Sequence, residues 1–98
     1  MNEKIKTAAV DHLFQAVLTL ETTEDCYRFF EDVCTINEIL SMAQRYEVAS
    51  MLMEKKTYQA IAKETGASTA TISRVNRSLV YGSDGYDLVM KRLKKTGD

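Results

Sequence analysis

The stretch Thr57–Leu79, TYQAIAKETGASTATISRVNRSL, decides how the chain is read. Two helices that cross steeply need a small residue where they approach, a glycine in the turn and apolar residues pointing back into the domain. Here Ala62 precedes Gly66 by four positions, and Ile72 and Val75 follow it by six and nine. Ile61 and Thr65 extend the inner face of the first helix, and Leu79 that of the second. Thr57 and Ser68 stand where N-caps belong, and Gly66 suits a left-handed turn. An A-x-x-x-G turn also occurs in helical domains that bind nothing, so the remaining faces carry the reading.

With Ile72 at the inward pole and a step of ~100° per residue, Val75 and Leu79 lie beside it, while Ala70, Ser73, Arg74 and Arg77 fall outward. No acid occurs from Ser68 to Leu79. Small side chains near the start of such a helix let its backbone sit deep in a major groove, where Thr69 and Ser73 exchange hydrogen bonds with base edges and Ala70 meets a thymine methyl. Ser68, Thr57 and the helix N-terminal amides suit phosphates, as do Lys55, Lys56, Lys63, Arg74 and Arg77. The expected double-stranded DNA contact set is therefore Thr57, Gln59, Lys63, Ser68, Thr69, Ala70, Ser73, Arg74 and Arg77.

The rest of the chain is helical by the same logic. It has no proline and four glycines, all from Gly66 onward, and strand-like alternation is nowhere sustained. Apolar Ile5, Ala9, Leu13, Ala16, Val17 and Leu20 predict one amphipathic helix from Glu3 to Leu20. Thr22 and Thr23 stop it and cap a second helix, EDCYRFFEDVC, with Glu24 and Asp25 in its first turn. Thr35 and Glu38 form a T-x-x-E capping box that launches a longer helix, with an inner stripe of Ile39, Met42, Tyr46, Ala49, Leu52 and Met53. Lys55 and Lys56 suit its negative end. Ser83 is the expected cap of a last helix, Asp84 to Lys95. The expectation is an all-α, six-helix single domain over residues 1–98, with dimerisation helices in 1–54, the helix-turn-helix in 57–79 and a C-terminal helix in 83–95.

A chain of 98 residues, 45% hydrophobic and 28% charged, is globular, and at this size it completes its core most readily with a second copy of itself. Its sequence pI of about 5.8 does not exclude a DNA reader, because charge is split along the chain. Residues 1–42 hold eight acids against three bases, and residues 43–98 ten bases against six acids. The basic half is the one that contains the quoted stretch.

Cys26 and Cys34 form no CxxC pair and His12 is the single histidine, so no metal site is expected. The cysteines read as buried apolar thiols in a reducing, cytoplasmic setting. His12 reads as structural or surface. The N-terminus lacks the unbroken apolar core of a signal peptide or membrane span. With no nucleophile beside a base and no glycine-rich phosphate loop, the chain does not read as an enzyme and requires no cofactor. The rival class is a helical dimeric protein-interaction module with a vestigial helix-turn-helix, using Phe14, Tyr27, Phe29 and Phe30.

The segment IAKETGASTATISRVNRSL resembles the DNA-reading segment of the Trp repressor superfamily, and the whole chain resembles its YerC/YecD group. The likeness is strongest from Thr35 to Leu79. It implies an intertwined homodimer, two recognition helices in successive major grooves and a palindromic operator, the chain acting as a transcriptional regulator, in all expectation a repressor. In that family a tryptophan corepressor lies between two arginines. Arg74 matches one, and Arg45 the other once the loop before Thr57 is taken as one residue shorter. Thr35, Thr71 and Ser78 also fall on ligand-lining positions. Val75 stands where the repressor has a glycine that leaves room for indole, so a small-molecule effector of this chain is not expected to be tryptophan.

Overall fold

A computed structural model describes residues 2–96, and within them every regular element is helical. A single 3-10 turn at Glu3–Ile5 precedes six α-helices: α1 (Ala8–Val17), α2 (Thr23–Val33), α3 (Ile36–Met53), α4 (Tyr58–Thr65), α5 (Thr69–Tyr81) and α6 (Gly85–Lys95). The structure divides into two compact units within α3, between Ile39 and Leu40.

In the first unit the helix boundaries are set by hydroxyl caps. Thr22 Oγ1 accepts the Asp25 N–H at 3.0 Å, and Asp25 Oδ2 accepts the Glu21 N–H at 3.1 Å. That last bond, with help from the Thr22 hydroxyl, holds the Asp25 carboxyl below its ordinary pKa. Thr35 and Glu38 form the reciprocal box expected of them: the Thr35 N–H donates to Glu38 Oε1 at 2.8 Å and the Glu38 N–H to Thr35 Oγ1 at 3.1 Å. The Thr35 N–H lowers the Glu38 pKa for the same reason.

The single helix expected from Glu3 to Leu20 is two pieces. Thr7, in an extended conformation, caps α1 by accepting the Val10 N–H at 3.2 Å, which breaks the helical run at Lys6 and Thr7. No described residue of the first unit is buried. Leu13, Phe14, Leu18, Tyr27, Val33 and Ile36 are exposed in the single chain. Cys26 is exposed and Cys34 half-buried, both as free thiols, which corrects the expectation of buried cysteines. His12 is exposed.

The second unit holds the core: Val48 and Ala49 of α3, Ile61 of α4, Ala67 of the turn, and Ile72 and Val75 of α5. Leu52, Tyr58, Ala62, Leu79, Tyr86 and Met90 pack around it. Full burial of each Ile side chain contributes about 1.5–3 kcal/mol. The expected α3 stripe is right in face and wrong in extent. Met42 and Met53 are exposed although they lie within ~40° of Ala49 on the helix wheel, because the core is built against the stretch of α3 around Val48 and Ala49. Val48, on the edge of that face, is fully buried instead.

Lys55 takes a left-handed conformation, φ 66°, and closes α3: its N–H reaches the Leu52 carbonyl at 3.0 Å and the Lys56 N–H reaches that of Met51 at 3.1 Å. At the start of α6 the cap position belongs to Asp84, at φ 61°, and not to Ser83; Asp84 makes no side-chain capping bond. An aspartate tolerates the left-handed backbone this corner requires, and the resulting turn displaces Ser83 from the cap.

Candidate nucleic-acid interface

Local chemistry assembles α4 and α5. Thr57 Oγ1 accepts the Ala60 N–H at 3.1 Å and starts α4. Gly66, at φ +74°, ends it and returns its N–H to the Ala62 carbonyl at 2.9 Å. The Thr65 hydroxyl donates to the Ile61 carbonyl at 2.7 Å and accepts the Ala67 N–H at 3.1 Å, which turns the chain toward α5. Ser68 Oγ then accepts the Thr71 N–H at 3.1 Å and donates to Thr71 Oγ1 at 3.1 Å. One contact ties the turn to α3: Gln44 Nε2 donates to the Thr65 carbonyl at 3.1 Å.

Burial splits α5 cleanly. Ile72 and Val75 are 0% and 1% exposed, and Leu79 is half-buried. Ser68, Thr69, Ala70, Ser73, Arg74 and Arg77 are all exposed, as are Thr57, Gln59 and Lys63 on and before α4. Every residue named for DNA contact therefore lies on the accessible side of the two helices. Among the described residues neither Arg74, Arg77 nor Lys63 forms an ion pair. Lys56 is partly engaged, with Nζ 3.6 Å from Glu64 Oε2. The amides of Thr69 and Ala70, in the first turn of α5, have no intrahelical acceptor by the geometry of a helix start. The outward face thus offers hydroxyls, amide donors and two guanidinium groups without an acid among them, a donor-rich surface matched to phosphate and base acceptors.

The residues matched to an effector site are less uniform. Arg45 and Thr71 are half-buried, whereas Arg74 and Ser78 are exposed. The Thr71 hydroxyl is engaged by Ser68. Thr35 belongs to the first unit, where its N–H and hydroxyl are both used in the cap with Glu38. Val75 is a member of the hydrophobic core. Beside Ser78 opens a cavity of about 650 Å³ lined by Tyr46, Gly82, Ser83, Tyr86 and Val89. The rings of Tyr46 and Tyr86 are 6.5 Å apart and tilted by 38°. Periodicity placed Tyr46 on the inner stripe of α3, but no local pattern marks Gln44 or the pairing of Tyr46 with Tyr86, because each acts across elements distant in sequence.

Among the described residues no helix is long and apolar enough to cross a membrane. The sequence profile of the Trp repressor protein family matches residues 8–94. The chain is 56% identical over 94 residues to the uncharacterised protein YerC of Bacillus subtilis (strain 168), covering 96% of this chain and 90% of that one. Two crystal structures superpose closely. A TrpR-like protein from Eubacterium eligens ATCC 27750 is 67% identical with a TM-score of 0.92, over 95% of this chain and 96% of that one. A Trp repressor candidate from Staphylococcus aureus is 54% identical with a TM-score of 0.91, over 94% and 92%.

Proposed function

This chain belongs to the Trp repressor family, and we propose on that footing that it is a sequence-specific DNA-binding regulator, a repressor acting as a homodimer on a palindromic operator. The observation that carries the reading is the division of α5, with Ile72 and Val75 sealed in the core while Ser73, Arg74 and Arg77 stand free on a face without acids. Thr69 and Ser73 read base edges and Ala70 meets a thymine methyl; Thr57, Gln59, Lys63, Ser68, Arg74 and Arg77 hold the phosphates and set the register. Two copies related by a twofold axis present two such helices one DNA turn apart, hence the palindrome. The family is regulatory, and the chemistry of this face is binding and not catalysis. Its place of action is the cytoplasm, where the DNA is.

Burial of Val75 in the core supports a regulator that does not take tryptophan in the family's slot, because a β-branched side chain stands where the indole ring would enter. An effector that uses Thr35, Arg45, Thr71, Arg74 or Ser78 is then of other chemistry, and DNA binding requires no cofactor.

Fluorescence anisotropy with labelled duplex across a salt series tests the function. The expected result is that log Kobs falls linearly with log salt, by about 0.9 per phosphate neutralised. Negligible affinity at every salt concentration overturns it and favours a protein-interaction module.

A further inference from the structure

The outward strip of α5 runs on past Arg77. At ~100° per residue, Ala70, Arg74, Arg77 and Tyr81 fall within ~60° of one another, with Ser73 ~40° to one side of Arg77. Tyr81, the last residue of the helix, is 83% exposed, more than any other large hydrophobic side chain among the described residues. Its hydroxyl forms no hydrogen bond among the described residues. The other tyrosines of this unit are placed differently: Tyr58 and Tyr86 pack against the core, and Tyr46 lies against Tyr86. No acid occurs from Thr65 to Ser83, so the strip meets no negative side chain of its own before it ends.

The way the helix stops keeps Tyr81 on that strip. The Gly82 N–H donates to the Ser78 carbonyl at 2.9 Å and closes the last turn, and a Cβ on Gly82 would run into the same carbonyl. Glycine at this place lets the helix continue regularly through Tyr81, in register with Arg74 and Arg77.

A helix rises 1.5 Å per residue, so Tyr81 stands ~6 Å beyond Arg77 and ~12 Å beyond Ser73. The major groove is about 12 Å wide and about 8.5 Å deep, and the N-terminal residues of a recognition helix are the ones that meet base edges. With Thr69, Ala70 and Ser73 on the bases, a side chain ~12 Å further along the same strip falls at the rim of the groove, among sugars and phosphates, and not over a base pair.

We propose that Tyr81 is a further DNA contact, its hydroxyl donating to a backbone phosphate oxygen and its ring lying on the adjoining deoxyribose, one helical turn beyond the phosphate held by Arg77. The assignment rests on the DNA reading above and extends its contact set by one residue. A phenol suits the position because it offers apolar area and one donor without adding charge. Such a contact carries no sequence information; it sets how deeply α5 enters and in what register.

Duplex binding and chemical protection test it. In anisotropy titrations with a labelled duplex of arbitrary sequence, Tyr81→Phe should bind about tenfold more weakly than the parent chain, and Tyr81→Ala more weakly again. Both should keep the parent slope of log Kobs against log salt, because a neutral phenol displaces no counterion. A merely structural Tyr81 would move the melting temperature or the sedimentation mass, and both should stay at the parent values. Nitration with tetranitromethane, read by peptide mass spectrometry on the wild type, needs no variant: Tyr81 should react in the free protein and be protected by saturating duplex.

A wild type that binds no duplex overturns this assignment together with the DNA reading. Duplex binding indifferent to both substitutions, or a salt slope changed by either, overturns this assignment alone. So does a Tyr81 that nitrates equally with and without DNA, or one already protected in its absence.

Discussion

Gln44 Nε2 donates a hydrogen bond to the carbonyl oxygen of Thr65 at 3.1 Å, a bond between residues 21 positions apart that ties α3 to the end of α4. The Thr65 carbonyl is one of the acceptors a helix leaves unpaired at its C-terminus. The same residue's hydroxyl shapes the turn into α5, so Gln44 steadies the corner from which α5 departs.

Gln44→Ala should cost about 1 kcal/mol of stability, the usual net worth of one such bond, read from a shift in the urea midpoint with unchanged slope. It should also weaken duplex binding although Gln44 lies outside the proposed contact set.

Gly66→Ala should destabilise by about 1–2 kcal/mol, because the residue sits at φ +74°. A Cβ there meets open space, so the cost is backbone strain alone. Gly82→Ala fails for the opposite reason. Its φ is −84°, but a Cβ would run into the Ser78 carbonyl, and the expected loss is the larger of the two in thermal melts.

Arg74→Ala and Arg77→Ala should each leave the melting temperature nearly unchanged, since both side chains are exposed and outside any ion pair among the described residues. Each should reduce the slope of log Kobs against log salt by about 0.9 if it neutralises one phosphate. An unchanged slope removes that arginine from the interface.

Val75→Gly should cost about 3 kcal/mol, from a core cavity and a glycine inside a helix. It should also admit an indole ligand more readily than the parent chain does. Calorimetry with tryptophan on both proteins checks this, and binding by the parent refutes the blockage.

Acid should loosen the caps of α2 and α3. The backbone donors beside Asp25 and Glu38 hold both carboxyls below their ordinary pKa. A depressed folded pKa contributes stability above the unfolded value and loses it as pH falls through the folded one. Helicity should therefore decline below the usual carboxylate range, and Glu38→Gln should flatten that dependence in a circular-dichroism titration.

The helix-turn-helix was legible because its determinants are local. A cap is a bond between residues three apart, as at Thr22, Thr35, Thr57 and Ser68, and a left-handed turn needs only its own glycine, as at Gly66. The outward face of α5 followed from helical periodicity, which orders exposure wherever one side of a helix is packed.

What only the tertiary structure decided depends on which surfaces meet. Periodicity identified the face of α3 that points inward, but Val48 is buried and Met42 exposed because the core covers only part of that face. Thr7 interrupts what reads as one helix, and Asp84 takes the cap expected of Ser83, since a strong apolar repeat or a serine is outweighed by the direction the chain must take next. The Gln44–Thr65 bond and the Tyr46–Tyr86 cavity have no local signature, because each joins groups whose separation in sequence is set by the path of the whole backbone. Sequence alone specified the local geometry of the helix-turn-helix segment; packing specified which apolar surface the chain seals and which it leaves open.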